Sequence, residues 1–564
     1  MQAKTAPLHE LSGRAKALVL AGTMLGLFFS AMNQTVVSTA LPRVVGELGG
    51  LNVYSWVLTS TMLTSTTVIL LAGRLSDIYG RKPFYMTGIA IFMLSSILCG
   101  VSQNITQLIV FRGVQGIGGG MMMGNAFSII GDLFPPSERG KYQGLFGAVF
   151  GFASVIGPTF GGYLTDNLTW RSVFFVNVPF GLLALVVLWV GFPWQRGLAG
   201  ERRIDYLGSA VLAAAIVPLL FAMVWAGDVF PWASPQIVGL LVVSAAMLVA
   251  FVRVEQAANE PIMPLMMFRD RIFIVSSAIA LFTGMGMFGA MTFMPLFMQG
   301  VLGDSATNSG MVMIPMMLGV VAGSFVSGQA VTRLGRYKIL VILASVVLVV
   351  GMWFMSEMGA GTPHSAAVRN MIIIGAGLGV SLPLINLAVQ NSLPYRFLGI
   401  ATSSVLFFRS IGGTIGIAVF GTLMSTHVHE NLQGALPPGV QDRVPADLLV
   451  RLEDPQILLS PSALEKLEAA FGLLGSDGPR LFHETISSMR GVLGDALGEV
   501  FFLGLIVAIA AFFVSLFLKE LPLRTSVYDE VPPERAPLPD KSGAEAWAAE
   551  ANANAVEAEA GGKT

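Results

Sequence analysis

The sequence predicts an all-α polytopic membrane protein of about fourteen transmembrane helices, in two six-helix bundles plus two inserted helices. Three observations carry that prediction. Of 564 residues, 54% are hydrophobic and only 12% charged, with a mean hydropathy of +0.72, whereas soluble domains carry about 25% charged residues. Apolar runs long enough to cross a bilayer core of about 30 Å recur along the whole chain. Glycines and charges of the first half return in the second at one constant spacing, as in a duplicated bundle. Lys+Arg 33 against Asp+Glu 34 gives a net charge of -1, so no basic surplus exists for holding nucleic acid, and none is expected as a partner. The one cysteine, Cys99, can form neither an internal disulfide nor a thiolate metal cage.

A short cytoplasmic N-terminus, 1–15, precedes the first run. The run ends near Ser38-Thr39-Ala40 like a signal peptide, but its apolar stretch is too long for a signal core and reads as a helix. Six spans over 16–41, 53–74, 83–102, 107–132, 142–165 and 172–193 form an N-terminal six-helix bundle, 16–193. Two inserted helices follow within 206–253, over 206–227 and 235–253. The C-terminal six-helix bundle, 272–518, holds spans over 272–298, 309–331, 338–357, 368–391, 400–427 and 499–518. Between its last two spans lies an outward loop, 429–497, in which 464–474 and 482–497 have helical apolar spacing. The tail 525–564, rich in Pro, Ala and Glu, reads as a disordered cytoplasmic tail.

Loop charge sets the orientation. The short connections on one side hold fifteen lysines and arginines, among them Arg81, Lys82, Arg139, Arg202, Arg333 and Arg336. Those on the other hold three, Arg43, Arg171 and Arg369. The rich side is predicted to be cytoplasmic and to hold both termini. Gly73, Asp77, Gly80 and Arg81 recur as Gly328, Thr332, Gly335 and Arg336, and Gly157, Pro158 and Gly161 as Gly412, Gly413 and Gly416, in both cases 255 residues on. Two homologous bundles facing each other imply a substrate site at their interface.

The segment Gly73 to Lys82, GRLSDIYGRK, joins glycines for close packing and a tight turn to Asp77, Arg81 and Lys82, which can bond helix ends and charges. A topological anchor explains the basic residues but neither the acid nor the glycines. Here the sequence resembles the major facilitator superfamily, whose signature in this loop is Gly-x-x-x-Asp-x-x-Gly-Arg-Lys. FRGVQGIGGG (Phe111 to Gly120) is similar to the fourth-span motif of that superfamily. GPTFGG, with Gly157, Pro158, Gly161 and Gly162, resembles the fifth-span motif of its antiporters. MNQTVVSTALP (Met32 to Pro42) is similar to the first-span pattern of the fourteen-span drug:proton antiporters. The resemblance implies the major facilitator fold, multidrug efflux by proton antiport, and a cytoplasmic gate of Gly73, Asp77, Gly80, Arg81, Lys82 and Asp132, with Arg81 paired to Asp132. Asp77 is expected against the start of the thirteenth helix, near Gly399 to Thr402. Asn33 stands where the first-span pattern has Asp, and an amide cannot titrate.

Arg112 and Arg409 are the ionisable side chains deep within spans, each costing roughly 2.5 to 3.5 kcal/mol at a helix centre. Both should therefore face a watery cavity or a partner. With Asn33 and Gln115 they are the candidates for the central cavity and its coupling. Methionines and phenylalanines crowd the ninth and tenth spans, and Met285, Phe288, Met291, Met294, Met313 and Met317 are candidate lining for varied apolar substrates. His427 and His429 do not share a helix face, so no metal site is expected, nor any cofactor. The reading is an exporter of lipophilic or amphiphilic small molecules in a bacterial cytoplasmic membrane, with protons as coupling ion and the bilayer as setting. Export of a lipid or lipid-like metabolite is the alternative. A lipid enzyme would need clustered acids, histidines or a nucleophile–base pair, which the sequence lacks, and a channel is the remaining rival.

Overall fold

The computed structural model describes residues 11–524, apart from 49–55, 194–204, 228, 259–260, 305–310, 395–396, 438–439, 441–457, 459–460 and 473–476. The tail 525–564 and the arginines at 196, 202 and 203 lie outside the described residues. Six helices make the first bundle: α1 (Gly13–Leu48), α2 (Trp56–Tyr79), α3 (Arg81–Gly100), α4 (Ile105–Leu133), α5 (Pro136–Asn167) and α6 (Ser172–Gly191). The inserted pair is α7 (Tyr206–Trp225) and α8 (Pro235–Ala257). The second bundle contains α9 (Arg271–Leu296), α10 (Met313–Leu334), α11 (Lys338–Ser356), α12 (His364–Ser392) and α13 (Leu398–Ala435). A short helix, α14 (Pro461–Gly472), then precedes the long α15 (Gly478–Leu516).

Twelve described helices are long and apolar enough to cross a membrane. The other two of the expected fourteen, α4 and α5, have the length, 29 and 32 residues, but are diluted by glycine and polar groups. In α4 the dilution has a packing reason. A Cβ at Gly116, Gly120 or Gly124 would run into the Thr61, Ser65 or Ile69 carbonyl of α2, so the stripe of small residues brings two backbones together.

The two bundles repeat each other's packing. α1 lies on α5 and α6, and α2 on α4, as α9 lies on α13 and α15, and α10 on α12. The tight turns correspond too: Gly80 (φ 93°) starts α3 and Gly335 (φ 65°) ends α10, both in the conformation that favours glycine. Across the interface α2 meets α13 and α5 meets α10, again an equivalent pair. The inserted helices flank this interface, α7 touching both α2 and α13. Trp56 of α2 packs against Phe221 (tilted) and Trp225 (edge-on) of α7, with ring centroids 5.3 and 5.8 Å away.

The helices outrun the expected spans where their apolar faces find partners. α13 runs on to Ala435 and α15 begins at Gly478, so the outward connection contracts from the expected 429–497 to 436–477. Phe471 of α14 meets Phe482 of α15 at 5.9 Å, in a cluster with Leu467 and Ile486. That buried apolar face extends the second bundle beyond its spans.

Candidate functional site

The first candidate site is at the end of the molecule that carries the basic turns. Arg81 opens α3 directly after Gly80, and this places its guanidinium between two acids. Its Nε donates to Asp132 Oδ2 at 2.7 Å, at the last turn of α4, and the same side chain is ion-paired with Asp77 of α2. A third branch donates to Ser76 Oγ at 2.5 Å. All three charged groups are buried, so breaking either pair would strand a charge. Lys82 faces elsewhere: its Nζ donates to Phe192 O at 2.5 Å and Trp189 O at 3.0 Å, a cation closing the C-terminus of α6.

This cluster touches the second bundle at one close approach. A Cβ on Gly73 would meet Gly399 O and Ser403 Oγ, and one on Gly399 would meet the Asp77 carboxylate. Asp77 therefore abuts the first turn of α13. It accepts no hydrogen bond there, and Asp77 Oδ2 is buried without a partner. Gly73→Val should wedge this approach apart, because its branched side chain has no room between α2 and α13. Cysteine labelling at the basic end of α13 should rise several-fold over the unmodified protein.

Sequence reading missed a second tie. Gln390 of α12 accepts from Arg139 Nη1 and Gln143 Nε2 of α5, both at 3.3 Å, and donates to Thr402 Oγ1 at 3.0 Å. Arg139 had the appearance of one more topological cation, and its burial needs the fold. The second bundle has no copy of the acidic gate. Thr332 turns its hydroxyl to Gly328 O at 2.8 Å. Glu520 instead accepts from the Tyr337 and Lys338 backbone amides at 2.9 and 3.0 Å, capping α11.

Arg112, 1% exposed, lies buried within the first bundle. Its neighbours are neutral acceptors: Asn33 Oδ1 at 2.7 Å, Gln115 Oε1 at 2.5 Å and Val57 O at 3.1 Å. Gln115 passes the network to Ser96 Oγ at 2.5 Å, so one cation ties α1, α2, α3 and α4. Asn33 Nδ2 has no acceptor. Arg409, 8% exposed, leaves Nε and Nη2 without partners, an uncompensated positive group in α13.

A cavity of about 640 Å³ opens in the half away from the gate, between α2, α7, α9 and α13. Its walls are apolar, as at Met62, Leu220, Met223 and Phe293, with hydroxyls from Thr59, Thr66, Thr292, Thr414 and Thr422. No Asp, Glu, Lys or Arg is among the described lining residues. His429 lies at its edge, while His427 Nδ1 pairs with Glu499 Oε2 of α15 at 3.0 Å. The methionines expected to line a site are not among the residues lining this cavity. Met294 and Met317 are buried in the core of the second bundle, Met317 also lining a second cavity of about 620 Å³ against α1 and α5, and Met285, Met291 and Met313 pack against that core. Phe288 lies on Gly413. Thioethers fill that core because their flexible chains fit irregular gaps between helices.

The fifth-span motif is an intrabundle contact. A Cβ on Gly157 would strike Thr35 of α1, as one on its counterpart Gly412 would strike Leu281 of α9. Gly161 accepts from Thr165 Oγ1 at 2.7 Å. Gly162 faces open space, and Pro158 lies on the same helix.

Comparison with known proteins matches this architecture. Multidrug transporter protein MdtP of Bacillus subtilis (strain 168) is 39% identical over 531 residues, covering 90% of this chain and 94% of that protein. Multidrug resistance protein 3 of the same organism is 35% identical, over 90% of this chain and 96% of its own length. The solved human organic anion transporter MFSD10 (TETRAN) shares the fold with a TM-score of 0.55 at 14% identity, covering 87% of this chain and 99% of that one. The profile of the Major Facilitator Superfamily matches residues 23–417. With paired bundles, a charged turn after α2 and these relatives, the chain belongs to the Major Facilitator Superfamily, a family of membrane transporters and not of enzymes.

Proposed function

We propose that the chain is a multidrug efflux transporter of the bacterial cytoplasmic membrane, exporting lipophilic or amphiphilic small molecules by alternating access with protons as the coupling ion. The relationship to MdtP along 90% of the chain carries this reading. The apolar cavity between the bundles supports it: desolvating an apolar ligand there supplies affinity without shape-specific contacts, and threonine hydroxyls orient polar substituents.

The basic end is assigned to the cytoplasm, with both termini, because lysines and arginines concentrate there. In the arrangement described, the Asp77–Arg81–Asp132 cluster and Gln390 hold that end closed while the cavity lies toward the outside, a state suited to release. Opening requires Asp77 to leave Gly399 and Gln390 to leave α5. Residues 16–193 and 272–518 are the two rocking units, with 206–253 riding on their shared edge.

Filling the cavity tests its role. Ala418→Trp, at a lining position of α13, should lower export of bulky lipophiles by about tenfold and spare small ones, as loss of pocket volume discriminates by size. Equal export of all sizes in a correctly inserted variant would place the substrate elsewhere.

A further inference from the structure

We propose, on the reading of the apolar cavity as the substrate site, that the inserted pair selects substrates: α7 forms one wall of that cavity, and a hydrogen bond from Trp232 to Thr422 latches the wall onto α13.

Leu220, Met223 and Val224 all line the cavity. Their spacing of i, i+3 and i+4 puts them on one face of α7. Beside that face, Phe221 and Trp225 pack on Trp56 of α2. Behind it, Ser244 of α8 donates to Ala215 O of α7 at 2.8 Å. Aromatic contact therefore holds the insert on the first bundle.

Its attachment to the second bundle is different in kind. After α7 the chain turns at Gly227 (φ 82°), with Gly227 N donating to Phe230 O at 2.9 Å. The turn needs glycine for its positive φ and for its closeness to α13, since a Cβ there would run into Thr422 Oγ1. Beyond the turn, Trp232 Nε1 donates to Thr422 Oγ1 at 2.8 Å. Thr422 in turn donates to Ala418 O at 2.9 Å, and both residues line the cavity. A tryptophan at a membrane surface ordinarily gives its N–H to water or headgroups. That accounts for an aromatic ring between two spans, but not for its bond to a residue of the cavity wall.

The walls divide the chemistry. Thr59 of α2, Thr292 of α9 and Thr414 of α13 bring hydroxyls, whereas Leu220, Met223 and Val224 of α7 bring only apolar side chains. Polar substituents of a ligand are thus served from the bundles, and its apolar or aromatic body lies against α7, where the Met223 thioether adapts to flat rings. The α7 face discriminates by size and shape. Trp232 is not among the described lining residues, so it is a positioning residue: it acts by setting how close that face stands to α13.

The test measures equilibrium binding of two neutral dyes, the bulky Nile red and the smaller N-phenylnaphthylamine, to the full-length protein in lipid nanodiscs, with empty nanodiscs subtracted. Val224→Phe should weaken Nile red about tenfold and the smaller dye less than about threefold, since lost pocket volume discriminates by size. Met223→Ala should shift the ratio the opposite way. Trp232→Phe keeps a ring but loses the donor, and should weaken the smaller dye, which needs the wall close, about fivefold, the worth of one hydrogen bond. Thr422→Val should reproduce that loss, and adding Trp232→Phe to it should cost nothing more. Thr422→Ser, which keeps the acceptor, should bind like the parent. Unchanged binding of both dyes in Val224→Phe and Met223→Ala would overturn the wall. Unchanged binding in Trp232→Phe, or equal losses in Thr422→Ser and Thr422→Val, would overturn the latch. The expected binding pattern in a protein that exports neither dye in proteoliposomes would defeat the efflux reading and leave the α7 wall standing.

Discussion

Asp77→Asn is expected to cripple transport in a protein that still folds and inserts. The carboxylate is ion-paired with Arg81, which also holds Asp132, and it lies against Gly399 at the first turn of α13. The amide keeps the shape but removes the anion that Arg81 and the positive end of α13 both favour. A charge-assisted contact is worth about 1.5 to 3 kcal/mol, so the closed state should lose roughly ten- to a hundredfold in population. Arg81 retains Asp132, and the fold should survive. Size-exclusion profiles should match the parent while the export rate falls by the same order. A normal rate would show that the Asp77 contact does not limit the cycle.

Asn33→Asp is expected to convert a poor cation exporter into a better one. Arg112 and Arg409 make the interior formally positive, and the nearest partners of Arg112 are all neutral. An unpaired like charge is repelled by several kcal/mol in a low-dielectric interior, so neutral, zwitterionic and anionic lipophiles should be preferred over monovalent cations. The Asn33 oxygen already lies 2.7 Å from Arg112 Nη1, so a carboxylate there would neutralise that guanidinium directly. It would also add a group that can titrate. Export of a monovalent lipophilic cation should rise about tenfold, the equivalent of roughly 1.4 kcal/mol, and should become more responsive to an imposed pH gradient. Strong export of such cations by the unmodified protein, left undiminished by Ser30→Lys beside Asn33, would contradict the electrostatic account.

What could be read from the sequence followed from periodicity and from motifs confined to one turn. Apolar runs located the helices, and Gly73 to Lys82 located a charged turn whose partner Asp132 was implied by family resemblance and whose neighbour Gly399 was expected from the anion-favouring start of a helix. Contacts between distant segments were not legible. Nothing in the spacing tells that Gln390 would meet Arg139 and Gln143, 251 and 247 residues away. Nor does it place Glu520 over the start of α11. The methionines are ambiguous in sequence because the composition of a flexible apolar core and of a flexible apolar pocket is the same. Packing places Met294 in the core of the second bundle, and Met317 and Met223 both in buried clusters and at cavity walls. Helix ends ran long for a related reason. Beyond the bilayer, α13 and α15 continue on contacts such as Phe471 with Phe482, which no hydropathy window detects.

The most direct test of efflux is uptake into inside-out proteoliposomes of the purified protein, acid inside, with a panel of neutral, anionic and cationic lipophiles of graded size. Concentrative, gradient-dependent uptake of several chemically unrelated neutral or anionic lipophiles is expected, with weak uptake of monovalent cations and collapse of all uptake in Asp77→Asn. Uptake that only equilibrates across the membrane would make the protein a channel, and concentrative uptake confined to a lipid would contradict multidrug export.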